Sequence, residues 1–201
     1  CEELERAVTE LGLWGAAIGT EFGEPLHSEK LDSLYQKFVD LDVPLFLHPA
    51  PSGIDGPPGD PNLKRFDLDV VIGFAGQESI AVATLIFGGV LERHPALDIW
   101  ISHGGGGIPM LAGRLAQAAR KRPWAIEEIK KDGAFEQALT RLWYDAHVTD
   151  PSALSLLRNW VGNDRIVYGT NFAGWDQPDE GQHGDIDPVW ADNARRLLRK
   201  N

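Results

Sequence analysis

Residues 88–107, GGVLERHPALDIWISHGGGG, carry one complete switch of structure. A helical apolar pattern occupies 78–93, and Pro95 lies just past its end. Residues 97–102 are a short apolar run without strict alternation. That is the pattern of a strand buried on both faces. His103 and four glycines follow, and helical spacing resumes over 109–120. The unit is helix, strand, histidine, turn, helix.

The same alternation extends in both directions. Leu4, Ala7, Val8 and Leu11 fall at helical spacing, and Gly12 stops that helix before a strand at 13–18. Leu31, Leu34, Tyr35, Phe38 and Leu41 mark the next helix, ahead of a strand at 43–47. Downstream, a helix lies within 124–138 and a strand at 141–145. A helix at 151–161 has Pro151 in its first turn. A strand at 165–168 and a last helix at 190–199 complete the series. Five strands, each followed by a helix, predict an α/β fold with a parallel sheet covered by helices. Residues 49–62, PAPSGIDGPPGDPN, hold five prolines and three glycines, which neither a helix nor a central strand tolerates. They form a long loop, and a second runs over 169–187. With no repeat, low-complexity segment or boundary, residues 1–201 are expected to be a single domain.

Composition narrows the function. The chain has 201 residues with 19 Lys+Arg and 30 Asp+Glu, a formal charge of −11. That balance argues against nucleic acid or an anionic membrane surface as the main partner. No apolar run approaches the roughly 20 residues of a membrane span. The only cysteine is Cys1, so no internal disulfide is possible. A reducing, cytoplasmic setting is expected.

Chemistry-bearing residues follow the strands. His48 follows Leu47, His103 follows Ser102, Asp145 and His147 end the fourth strand, and Asn171 comes soon after the fifth. In a parallel α/β fold these positions converge on the carboxyl edge of the sheet, where ligands bind. Imidazole at such an edge suits a divalent metal or proton transfer. The plainer alternative is a structural histidine bonded to a backbone carbonyl. The run Gly104–Gly107 either lets the backbone approach a ligand, offering N–H groups, or is simply a tight turn. Asp176, Asp179, Glu180, Asp185 and Asp187 make an acidic loop, largely solvated, from which one carboxylate could reach a metal. Arg65 could bind an anionic substrate group, and Trp175 could line a pocket. His27, His94 and His183 read as structural or solvated.

Three motifs together resemble a known family. They are 43–49, VPLFLHP; 101–106, ISHGGG; and 168–172, YGTNF. They are similar to the amidohydrolase-related proteins, in the branch of aminocarboxymuconate semialdehyde decarboxylase. The resemblance implies a metal-dependent (β/α)₈ barrel, with His48 as a metal ligand and His103 as the catalytic histidine. The family's last strand normally ends in Gly-Thr/Ser-Asp, with that aspartate at the metal. Here Asn171 stands in its place, and Asp176 is a possible substitute. The family's first strand carries His-x-His, and this sequence has none. The five strands match barrel strands four to eight. Cys1 is therefore expected to be a cut edge inside a longer barrel, and the 201 residues alone are expected to be inactive. The implied cofactor is one divalent ion, taken as zinc. The implied reaction is non-oxidative decarboxylation of a small unsaturated or aromatic carboxylic acid. Hydrolysis of an amide, ester or lactone and a metal-free binding paralogue are the alternatives. The partner is a small carboxylate, and a homo-oligomer is compatible with the pattern.

Overall fold

The computed structural model describes residues 1–50, 61–177 and 186–200. Its elements, in order, are α1 (Glu2–Thr9), β1 (Ala16–Gly19), α2 (Asp32–Asp40), β2 (Leu45–His48), α3 (Phe74–Phe87), α4 (Val90–Arg93) and β3 (Ile99–Ile101). They continue with α5 (Ile108–Lys121), α6 (Glu127–Lys130), α7 (Ala134–Leu139), β4 (Trp143–Asp145), α8 (Pro151–Val161), β5 (Ile166–Val167) and α9 (Pro188–Leu197).

Among the described residues the five strands form one sheet in the order β1-β2-β3-β4-β5, with every pair parallel. Consecutive strands are always neighbours, so the sheet has no switch point of the doubly wound kind. Its carboxyl edge therefore gathers the ends of successive strands, as the sequence predicts.

The two faces of the sheet differ. Leu45 and Leu47 of β2 and Ile99 and Ile101 of β3 are buried beneath the helices. Phe46, His48 and Trp100 alternate with them and are only partly covered. The register sets Phe46 opposite Trp100, with ring centroids 4.3 Å apart. Burial on both faces, expected for every strand, holds for β4 and β5 but not for β1, β2 and β3. The described residues leave the second face of β2 and β3 incompletely packed.

Helix boundaries shift in two places. The helix read at 78–93 begins earlier, as a π-helical turn at Asp69–Gly73 that runs into α3. It then breaks at Gly88 and Gly89, where Gly89 takes a φ of +71°. The joined helix Asp69–Phe87 spans 19 residues with a hydropathy of 1.8. This corrects the expectation that no apolar run approaches 20 residues. Ala81, Val82, Leu85 and Ile86 enter the main core, while Val71, Ile72 and Ile80 of the same helix are exposed. The region 124–138 divides into α6 and α7 around Gly133. Two helix starts follow local chemistry. Asp150 accepts from the backbone N–H of Ser152 and Ala153 ahead of α8, and Asp187 from that of Val189 ahead of α9, each with proline next in sequence. Asp187 thus serves as a cap. Of the other acidic-loop residues, Asp179, Glu180 and Asp185 lie outside the described residues, as does His183.

One hydrophobic cluster runs from Leu4 to Trp190 and fills the space between sheet and helices. It fixes the strand ends relative to one another, and so fixes the site above them.

Candidate active site

The carboxyl ends of β2 and β3, the start of α3 and the loop after β5 meet at a cleft of about 310 Å³. His48, Phe74, His103, Asn171, Trp175 and Asp176 are among its lining residues. His48 faces His103 with ring centroids 5.8 Å apart, and His103 faces His147 at 5.4 Å. Three of the four strand-end segments singled out in the sequence thus deliver side chains to one cleft, as His48, His103 and Asn171, while the fourth, with Asp145 and His147, stands behind it against His103 and Asp176.

His48 closes β2. Its Nδ1 lies 3.0 Å from the carbonyl of Pro49, so Nδ1 carries the hydrogen and Nε2 keeps the lone pair. Burial lowers its pKa below the usual histidine value, which favours the neutral ring. A neutral imidazole with one nitrogen so committed is the form that binds a cation.

His103 sits at a φ of +47° in the turn after β3. Its Nδ1 is 2.8 Å from Oε1 of Glu78, a fully buried carboxylate on α3. The Ser102 hydroxyl donates to the same oxygen. Burial opposes a charge on His103, but the Glu78 carboxylate outweighs it, so its pKa is raised. Burial in turn pushes the Glu78 carboxyl up.

The glycines after His103 are a tight turn. Gly105 and Gly106 donate to the carbonyls of Ser102 and His103, Gly104 to Asp145 and Gly107 to the Ser79 hydroxyl. All four N–H groups are committed inside the protein, so none is left to cradle an anion. Gly106 is required sterically, because a Cβ there would lie 2.1 Å from the Ala75 carbonyl oxygen. That close approach brings the turn against α3 and His103 onto Glu78.

Asp145 is buried at the end of β4. Its Oδ1 accepts from the backbone N–H of Gly104 and His147, and burial raises its pKa. It ties the His103 turn to the His147 segment. Beyond it, Nε2 of His147 lies 2.9 Å from Oδ2 of Asp176, and Nδ2 of Asn171 donates to Oδ1 of Asp176 at 2.6 Å. Burial alone would raise the Asp176 pKa, but these two partners outweigh it and hold the group ionised. Asn171 sits at a φ of +48°.

The structure does not bring every candidate together. Arg65 is exposed and absent from the cleft lining, because the short 3₁₀ helix Pro61–Lys64 leaves it at the surface. Trp175 is 72% exposed and lines the rim. His94 is buried against Asp32, in keeping with a structural role. Glu78 escaped the sequence reading, which placed it at a helix start. Its signal was present, since it is the only charged residue in the helical run FAGQESIAVATLIF.

As a metal site this donor set is partial. His48 offers one nitrogen, the Asn171 amide oxygen is a weak donor, and both Asp176 oxygens already have partners. Among the described residues no three His, Cys, Asp or Glu side chains are placed to hold an ion. These residues by themselves do not fit a complete metal centre.

The amidohydrolase family model matches residues 1–201. The chain belongs to the amidohydrolase family. This amidohydrolase chain is 29% identical over 172 residues to a 2-amino-3-carboxymuconate-6-semialdehyde decarboxylase of Dictyostelium discoideum, covering 85% of this chain and 46% of the relative. It is 32% identical over 207 residues to the Caenorhabditis elegans protein of the same name, covering 85% and 49%. The chain thus spans about half the length of these relatives. It also superimposes on a 5-carboxyvanillate decarboxylase of Novosphingobium aromaticivorans, with a TM-score of 0.82 and 23% identity over 98% of this chain and 60% of that one. That structure holds manganese and 4-hydroxy-3-methoxy-5-nitrobenzoic acid. At this identity the likeness establishes a shared amidohydrolase fold.

Proposed function

We propose that this chain is the strand-four-to-eight part of a (β/α)₈ barrel, a single domain over 1–201, in a metal-dependent enzyme that decarboxylates a small unsaturated or aromatic carboxylic acid. Three observations support the partial barrel. The strand order is consecutive, the second face of β2 and β3 is incompletely covered, and the chain spans about half of its relatives. An eight-stranded barrel typically needs about 250 residues.

The observation that carries the reaction is the His48–His103 pair across the cleft. The two imidazoles are held in different states, His48 biased to neutral and His103 to charged. Environments that push two titratable groups apart mark a division of labour. His103 is the proton donor. The bond to the carboxylate breaks, its electron pair stays on the substrate carbon, that carbon takes the proton from Nε2 of His103, and carbon dioxide leaves. Phe74 and Trp175 provide apolar wall and rim for an unsaturated substrate. His48 would contribute one ligand to a divalent metal, with Asp176 and the Asn171 amide oxygen as further candidate donors on the same cleft. Zinc was the expected ion, and a fold neighbour contains manganese.

The test is product analysis on the full-length protein after incubation with zinc or manganese. Carbon dioxide released in step with substrate loss supports the proposal. Substrate opened by water without carbon dioxide would move the assignment to a hydrolase. Protein that binds no stoichiometric metal and leaves carboxylates unchanged would move it to a binding paralogue.

A further inference from the structure

We propose that Glu78 is a positioning residue, which holds the His103 ring in the Nδ1–H form with Nε2 directed to the cleft. The inference rests on the decarboxylase reading only for its kinetic consequence; the placement of the ring stands on geometry. Glu78 is fully buried on α3, 25 positions before His103, and no other charged residue shares its helix. Its Oε1 accepts from His103 Nδ1 at 2.8 Å and from the Ser102 hydroxyl. Its Oε2 is buried with no hydrogen-bond partner among the described residues. A buried carboxylate with an orphaned oxygen costs stability. A polar group retained at such a place is accounted for by what its other oxygen does.

That oxygen fixes a tautomer. The oxygen that takes the Ser102 hydroxyl is the one that faces His103 Nδ1, and as an acceptor it places the hydrogen on Nδ1 and leaves Nε2 as the donor to substrate. When Nε2 gives its proton to the substrate carbon, the neutral ring left behind is the Nδ1–H form, still bonded to Glu78. Reprotonation at Nε2 then restores the ring without rotation. Without an acceptor at this place the ring would distribute between tautomers and orientations, and part of the population would present a hydrogen-bearing nitrogen to the core.

Two variants in the complete protein test this, each read by ¹⁵N–¹H correlation of the His103 ring and by steady-state kinetics. Glu78→Leu removes the acceptor. Loss of the Nδ1–H form as the dominant neutral tautomer is expected, with kcat lowered about 100-fold and KM little changed. Glu78→Gln keeps an acceptor oxygen but no charge. It is expected to retain the tautomer, with kcat lowered about tenfold. A Glu78→Leu ring with the wild-type tautomer, or a Glu78→Gln enzyme with the wild-type kcat, would overturn the proposal. If Glu78→Leu fails to fold, the Glu78→Gln kinetics still decide. If the tautomer shifts as expected but wild-type protein releases no carbon dioxide, the placement by Glu78 stands and the decarboxylase reading fails.

Discussion

Asn171 donates its side-chain N–H to Oδ1 of Asp176 at 2.6 Å, while His147 occupies the other oxygen of that carboxylate. Asn171 is therefore a clamp on a carboxylate five positions later. The carboxylate at the cleft is Asp176, carried by the loop rather than by the strand end.

Asn171→Asp reverses the sign of that contact. Aspartate also tolerates the left-handed backbone at this position, so the change is electrostatic. Without added metal, two facing carboxylates should cost about 1–2 kcal/mol in urea denaturation at pH 7. With manganese or zinc present, the variant should bind the ion more tightly than the parent in calorimetry. An unchanged midpoint and unchanged affinity would separate Asn171 from Asp176.

His103→Asn preserves a residue type that accepts a φ of +47° while removing the transferable proton. Carbon dioxide release should fall by at least about 100-fold, with circular dichroism unchanged. Retention of more than a tenth of the activity would exclude His103 as proton donor.

The pH dependence follows from the raised His103 pKa. The charged donor persists above the ordinary histidine value of 6.5 and is lost as pH rises through the higher folded value. A plot of kcat against pH should hold its plateau past 6.5 and then decline on the alkaline side. A decline centred below 6.5 would contradict the Glu78–His103 interaction.

Gly106→Ala should destabilise the protein by about 2–3 kcal/mol, since the added Cβ meets the Ala75 carbonyl oxygen and the backbone φ is +62°. The urea midpoint measures it. A neutral effect would mean that the turn is free to move away from α3.

Much of this was legible in the chain. The strand ends at His48, His103 and Asp145 could be placed because short apolar runs bounded by glycine and proline fix where a strand stops. The joining of Asp176 to His147 and Asn171 was not legible, because loop geometry decides it. Glu78 was missed for a related reason, since only the packing of α3 against the Gly106 turn brings it to His103. Arg65 shows the converse. Its charge suggested a substrate contact, and the local 3₁₀ turn leaves it exposed.

The most direct measurement is decarboxylation followed in D₂O by the complete, metal-loaded protein, with 2-amino-3-carboxymuconate-6-semialdehyde and aromatic carboxylates as substrates. The expected result is one carbon dioxide per substrate consumed, with deuterium on the carbon that lost the carboxylate, and no release with His103→Asn. Consumption with water added and no carbon dioxide, or release that persists in the His103 variant, would contradict the assignment.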